Sequence, residues 1–218
     1  MGTKMKRALV FGSVPCTDWR FLEAYDTAGC PVYCADGGVN VAASAGFRPD
    51  FVIGDWDSGG APVAGVDSVS LPTEKDMTDL QSAMSRACRD GYRDLLLCGA
   101  LGGPRLDHTV FNLHLLEWLA DRGARGLLVD RDNEVRLLDS ETVRLDAISP
   151  RYHYFSLAPL DRTVEDVSLA GAKYPLTEAT LYRGDSLTVS NEPTGPDLTV
   201  RVGRGRLLLI RSQRDDLR

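Results

Sequence analysis

Histidine, tryptophan and cysteine are scarce in this 218-residue sequence, at 3, 3 and 5 copies, and their scarcity removes several kinds of chemistry. Cys16, Cys30, Cys34, Cys88 and Cys98 are odd in number and contain no C-x2-C pair, so neither a disulfide framework nor a thiolate zinc site is expected. Reduced thiols fit a cytoplasmic protein, and Cys30 and Cys34, flanking a predicted strand, read as small buried apolar residues. No apolar run is long enough to span a bilayer: Leu95–Leu97 and Leu207–Ile210 are strand-sized, and no basic segment followed by an apolar one opens the chain, so neither membrane insertion nor export is expected. Cationic excess is missing too. A net charge of −6 gives no general attraction for nucleic acid or an anionic membrane. The motifs of the P-loop, the serine nucleophile elbow and the zinc proteases are all absent.

What is present is an ordinary globular composition, 43% apolar, in a chain long enough for two modest cores. Over residues 1–138 short aliphatic runs (Ala8–Phe11, Val32–Cys34, Phe51–Ile53, Leu95–Cys98, Leu127–Val129) alternate with helix-like stretches. Unbroken apolar strands separated by helices predict an α/β unit, a largely parallel sheet with helices on both faces. One helix is expected from Asp79 to about Asp90, with Thr78 and Gln81 in capping-box spacing and Gly91 as its stop. A second follows Asp107 and ends at Gly123. Over residues 139–218 the helical period gives way to short alternating segments, among them Val143–Leu145, Tyr152–Leu157, Val164–Leu169, Leu187–Ser190, Leu198–Val202 and Arg206–Ile210. With turn signals at Pro159, Gly171, Gly184, Gly195 and Gly203, they predict a small C-terminal antiparallel β-sandwich. Arg214–Arg218 reads as a loose tail.

The chemistry concentrates in acidic turns. Asp36 follows one predicted strand in Ala35-Asp36-Gly37-Gly38, Asp55 and Asp57 follow another in Gly54-Asp55-Trp56-Asp57-Ser58, and Asp76 and Asp79 flank Thr78 at a helix start. Ligands in an open parallel sheet bind outside the carboxyl ends of the strands, where these turns fall. Carboxylates about 4 Å apart repel by roughly 4 kcal/mol at an effective dielectric near 20, so a cluster calls for a cation, and an all-oxygen donor set favours Mg²⁺ beside a phosphate. Each Asp-Gly turn alone suits a surface loop, and Asp76 suits a capping or solvated role equally. The run Gly99-Ala100-Leu101-Gly102-Gly103-Pro104-Arg105-Leu106-Asp107-His108 supplies glycines and an arginine fork for phosphate oxygens. Asp107 reads both as an N-cap and as a ligand contact, and His108 as a hydrogen-bonded structural residue or a base.

In this order, Ala35–Gly38, Gly46–Ser58, Lys75–Asp79 and Arg105-x-Asp107-His108 through Asn112, followed by Ala172–Leu176, Gly184 and Ser190-Asn191-Glu192, the sequence resembles the thiamine pyrophosphokinase family along most of its length. Pro104 before Arg105 and Trp56 between the paired aspartates depart from the family pattern. The resemblance implies a nucleotide-binding α/β domain followed by a β-sandwich, ATP as co-substrate, thiamine as acceptor, and AMP as a product. It further implies that Asp36, Asp55, Asp57 and Asp79 hold Mg²⁺, that Asp55, Asp57 and Asp79 are catalytic, and that Asp36, Gly37, Thr78, Arg105 and Asp107 bind ATP. Tyr174, Ser190 and Asn191 would bind thiamine at the two-fold interface of a homodimer, although a Lys-Tyr-Pro turn and a Ser-Asn corner suit any sandwich. The rival expectations are a pyrophosphokinase acting on another alcohol such as a pterin, and a non-catalytic sensor of nucleotide and thiamine.

Overall fold

The computed structural model describes residues 5–55, 61–72, 74, 76–146 and 151–214, and the chain divides into two units, Met1–Arg131 and Asp132–Arg218. The division lies ahead of the 138/139 boundary suggested by the change in periodicity. In the first unit β1 (Arg7–Phe11), β2 (Val32–Ala35), β3 (Phe51–Gly54), β4 (Asp67–Ser70), β5 (Asp94–Cys98) and β6 (Arg125–Val129) run parallel in the order β4-β3-β2-β1-β5-β6. β2, β3 and β5 are buried along their whole length, and β1 from its second residue on. A strand covered on both faces has no polar side to alternate with, hence the continuous apolar runs. β4 is the edge strand, Asp-Ser-Val-Ser, and its partly exposed pattern gave no apolar signal.

Helices cover both faces. Leu9 and Phe11 share a core with Val41 and Ala42 of α1 (Gly38–Ser44), with Leu22 of the 3-10 turn Arg20–Ala24, and with Leu96 and Cys98 of β5. Leu97 points the other way by strand alternation. It lies with Leu116 and Leu119 of α3 (Leu106–Ala120) around Gly126, where any side chain would collide with them. α2 (Asp79–Arg89) packs on β1, β2 and β3. Its Met84 is fully buried, as are Leu95, Leu96 and Leu97, and each such side chain contributes roughly 1.5–3 kcal/mol. Thr78 caps α2, its Oγ1 accepting from Gln81 N at 3.2 Å, and Gly91 at φ 96° turns the chain out of it. Among the described residues no helix is long and apolar enough to cross a membrane.

The second unit contains β7 (Asn133–Asp139), β8 (Thr142–Asp146), β9 (Tyr154–Pro159), β10 (Thr163–Ala170), β11 (Leu176–Tyr182), β12 (Asp197–Arg204) and β13 (Arg206–Ser212). They form antiparallel sets β7-β13-β9 and β11-β10-β12-β8. Alternate side chains of both sets, including Leu138, Phe155, Val167, Val200 and Leu209, make one core. Two sequence expectations are corrected here. Leu187–Ser190 is a turn rather than a strand, and Leu187 and Val189 are exposed, so their alternation reflects no buried face. Gly203 lies inside β12 rather than at a turn, because the Asp166 side chain lies over it and leaves no room for a Cβ. Of the expected tail, residues 215–218 lie outside the described residues.

Candidate active site

The sheet order reverses at β1, which has β2 on one side and β5 on the other, and such a reversal opens a crevice at the carboxyl ends of the strands. A cavity of about 300 Å³ lies there, walled by residues following β1, β2, β3 and β5 and by the starts of α2 and α3. The exit of β1, Gly12-Ser13-Val14, is zipped to the exit of β5 through Gly12 N to Cys98 O at 2.8 Å and Val14 N to Gly99 O at 2.9 Å. A Cβ on either Gly12 or Gly99 would stand 2.6 Å from the other's carbonyl oxygen, so only glycine permits this approach. Gly12, Ser13 and Val14 line the cavity and were missed by motif reading. The one available signal was a Gly-Ser pair directly after the first apolar strand.

Asp36 sits on the cavity wall at the end of β2 with φ 45°, a left-handed conformation that aspartate tolerates better than most residues. Its backbone N–H donates to Ile53 O at 2.8 Å. The residue is only 4% exposed, and its Oδ1 is buried without a hydrogen-bond partner. Gly54 is required beside it, since a Cβ there would come within 2.9 Å of Asp36 Cα. Gly37 caps α1 and is not part of the cavity wall. Asp55 lines the cavity just after β3, and Thr78 and Asp79 line it from the first turn of α2. Asp76 is exposed and off the wall. Asp57, Trp56 and Lys75 lie outside the described residues. Among the described residues no three histidine, cysteine, aspartate or glutamate side chains close into a metal cage. Three carboxylates nevertheless share one cavity, and the unpartnered Asp36 oxygen is the chemistry a hard cation fits.

The same cavity also carries an arginine. Arg105, His108 and Asn112 line it. α3 starts at Leu106 with Arg105 at the cap position, so Asp107 is not an N-cap but lies within the first turn, where its carboxylate forks Arg105. Arg105 Nε donates to Oδ1 at 2.9 Å and Nη2 to Oδ2 at 2.6 Å. The hydrogen bonds from Arg105 hold the Asp107 carboxyl down at about 2, against an ordinary 3.8. The fork uses Nε and Nη2 and leaves Nη1 outside it. Asp107 itself is not on the cavity wall.

In the second unit Tyr174, Ser190 and Asn191 come together. Asn191 is 2% exposed. Its Oδ1 accepts from Tyr174 N at 3.1 Å and Glu192 N at 2.9 Å, while its Nδ2 donates to Tyr174 O at 2.8 Å. That amide fixes the turn presenting the Tyr174 ring, which is 58% exposed. Ser190, at φ 55°, is held by its N–H on Ser156 Oγ at 2.9 Å. Glu192 bridges Lys173 at 2.6 Å and His153 at 3.1 Å. His153 carries no motif signal in the sequence.

A parallel sheet with a cavity at its switch point lined by three aspartates and an arginine, followed along the chain by an antiparallel sandwich, defines a two-unit α/β protein with a candidate site for a cation and a phosphate group. The family described as thiamin pyrophosphokinase, catalytic domain, matches residues 27–128, and the thiamin pyrophosphokinase vitamin B1 binding domain matches residues 142–207. The chain belongs to the thiamine pyrophosphokinase family. It is 28% identical to the thiamine pyrophosphokinase of Bacillus subtilis over 187 residues, 81% of this chain and 85% of that protein. The solved structure of thiamin pyrophosphokinase from Geobacillus thermodenitrificans is 32% identical with a TM-score of 0.79, covering 96% of this chain and 97% of that one. The yeast enzyme, at 14% identity over 99% of this chain and 88% of that one, shares the fold with a TM-score of 0.68.

Proposed function

We propose that the chain transfers the pyrophosphoryl group of ATP to the hydroxyethyl oxygen of thiamine, giving thiamine diphosphate and AMP. The observation that carries this reading is the convergence of Asp36, Asp55, Asp79 and Arg105 on one cavity. The acceptor oxygen bonds to the β-phosphorus, the bond from that phosphorus to the oxygen bridging it to the α-phosphate breaks, and AMP leaves. Such a transfer depends mainly on holding the reactants in line and stabilising charge on phosphate oxygens. Asp36, Asp55, Asp57 and Asp79 would hold Mg²⁺, whose bound charge would neutralise phosphate oxygens. Gly37, Thr78, Arg105 and Asp107 serve the nucleotide. Thr78 and Asp79 stand at the positive end of α2, and Arg105 offers Nη1 to a phosphate while Asp107 keeps the guanidinium from turning away. Asp55, Asp57 and Asp79 are the catalytic set, and one of them accepts the proton of the attacking hydroxyl.

Thiamine takes the Tyr174 ring as an aromatic face for its cationic thiazolium or its pyrimidine, an attraction of roughly 0.5–2 kcal/mol. Ser190 hydrogen-bonds the aminopyrimidine, and Asn191 supports it by fixing Tyr174. The active form is a cytoplasmic homodimer with thiamine at its interface. Five cysteines without a disulfide fit a reducing compartment, and exposed Tyr174, Leu187 and Val189 fit a covered surface. Incubation with ATP, Mg²⁺ and thiamine should release AMP and thiamine diphosphate. ADP as the nucleotide product, or equal turnover of a pterin alcohol, would overturn the assignment.

A further inference from the structure

We infer that Asn112, together with Thr109, is a positioning residue for the polyphosphate of a nucleoside triphosphate, acting by tying down the carbonyl groups of the glycine-rich connection between β5 and α3. The inference rests on the reading that this cavity takes the nucleotide. The connection has Gly99, Gly102 and Gly103 at φ 63°, 78° and 79°, conformations that glycine reaches at the expense of a floppy chain. Nothing in regular structure holds residues 99–105.

Several carbonyls along this stretch are nonetheless engaged. Cys98 O and Gly99 O accept from the β1 exit, through Gly12 N and Val14 N. Ala100 O accepts from Asn112 Nδ2 at 2.8 Å in a buried hydrogen bond, and Gly102 O accepts from Thr109 Oγ1 at 3.0 Å. Two side chains on the first turns of α3 therefore reach back over the connection leading to Arg105. Asn112 is 9% exposed and on the cavity wall.

The consequence is electrostatic as well as mechanical. A carbonyl oxygen carries partial negative charge, and one left free beside a polyanion repels it. Committing Ala100 O and Gly102 O to α3 donors removes both acceptors from the competition and holds Arg105 in place. Asn112 contains both a donor and an acceptor, and only its donor end satisfies Ala100 O. Asn112→Asp therefore replaces the donor with a second acceptor at that point.

The test is titration calorimetry of the full chain in Mg²⁺ with an ATP analogue carrying a methylene between the α- and β-phosphorus, beside steady-state KM values for ATP and thiamine. Asn112→Ala and Thr109→Val should each weaken the analogue, Asn112→Ala about tenfold and Thr109→Val less because its bond is exposed. Asn112→Asp should be weaker than Asn112→Ala, Thr109→Ser should recover wild-type affinity, and the KM for thiamine should stay within about twofold. Wild-type protein that binds no analogue would overturn the nucleotide reading itself. Wild-type protein that binds it, with unchanged affinity in the variants or with both KM values moving together, would overturn the inference alone. Should the Asn112 variants fail to fold, the Thr109→Val and Thr109→Ser pair decides: equal affinities in the two sink it.

Discussion

Replacing Asp36 by asparagine should make the protein more stable and close to inactive. Asp36 is 4% exposed, with a buried Oδ1 that has no hydrogen-bond partner. Leaving a buried polar group unpaired costs about 1–3 kcal/mol, and more when it is charged. Asparagine keeps the shape, removes the charge, and tolerates the left-handed φ of 45° that alanine would resist by roughly 1 kcal/mol. Asparagine leaves that oxygen unpaired, so Asp36→Asn recovers only the added cost of the charge, about 1 kcal/mol. For a chain of this size each kcal/mol moves the melting temperature by about 2–4 °C, so the transition should rise by about 2–4 °C. Differential scanning calorimetry without nucleotide or Mg²⁺ reads the first effect, and AMP release the second, where a loss of about a hundredfold or more is expected for a carboxylate proposed to hold the cation that neutralises the phosphate oxygens. Adding Mg²⁺ and ATP analogue should raise the wild-type transition more than that of Asp36→Asn. A variant melting at or below wild type would refute the claim that this carboxylate is uncompensated in the free protein, and near-normal turnover would remove it from the site.

Two further outcomes follow from the geometry. The folded-state value of Asp107 is depressed to about 2 from 3.8, so whatever order the Arg105 fork gives is complete above the ordinary value and is lost as pH falls through the depressed one. Carboxyl NMR titration should find the low midpoint in wild type and a return toward 3.8 in Arg105→Ala; an unmoved midpoint would disprove the fork in solution. Asn191→Ala strips the Tyr174 turn of its clamp, and with about 1–3 kcal/mol lost per buried group left unpaired it should lower the melting temperature and raise the KM for thiamine while sparing that for ATP. A proportional change in both KM values would instead mark Asn191 as a general support of the fold.

Parts of the fold were legible because burial writes itself into composition. β1, β2, β3 and β5 are covered on both faces, so their residues had to be apolar in unbroken runs. α2 had a cap in Thr78 and a stop in Gly91, each with a local physical cause. The edge strand β4 was illegible because its Asp-Ser-Val-Ser faces solvent, and Leu187–Ser190 misled because apolar alternation can occur in an exposed turn as well as in a strand. The acidic turns could be picked out because, although each alone suits a surface loop, several aspartates together after apolar strands have few structural reasons to be there.

Sequence alone determined the buried strands of the first unit, the two-part organisation and the family resemblance, since each rests on local pattern: period, cap, turn and motif order. Tertiary structure alone decided that Gly12 and Gly99 press together, that Asp36 is buried with an unpartnered oxygen, that Arg105 is forked by Asp107, and that Asn112 reaches back to Ala100. The first two depend on the order β4-β3-β2-β1-β5-β6, which brings distant loops to one edge, and the last two on how the β5–α3 connection folds back on its own helix. Hydrogen bonds and collisions act over a few ångströms in space, and separation along the chain carries no record of which distant residues will meet.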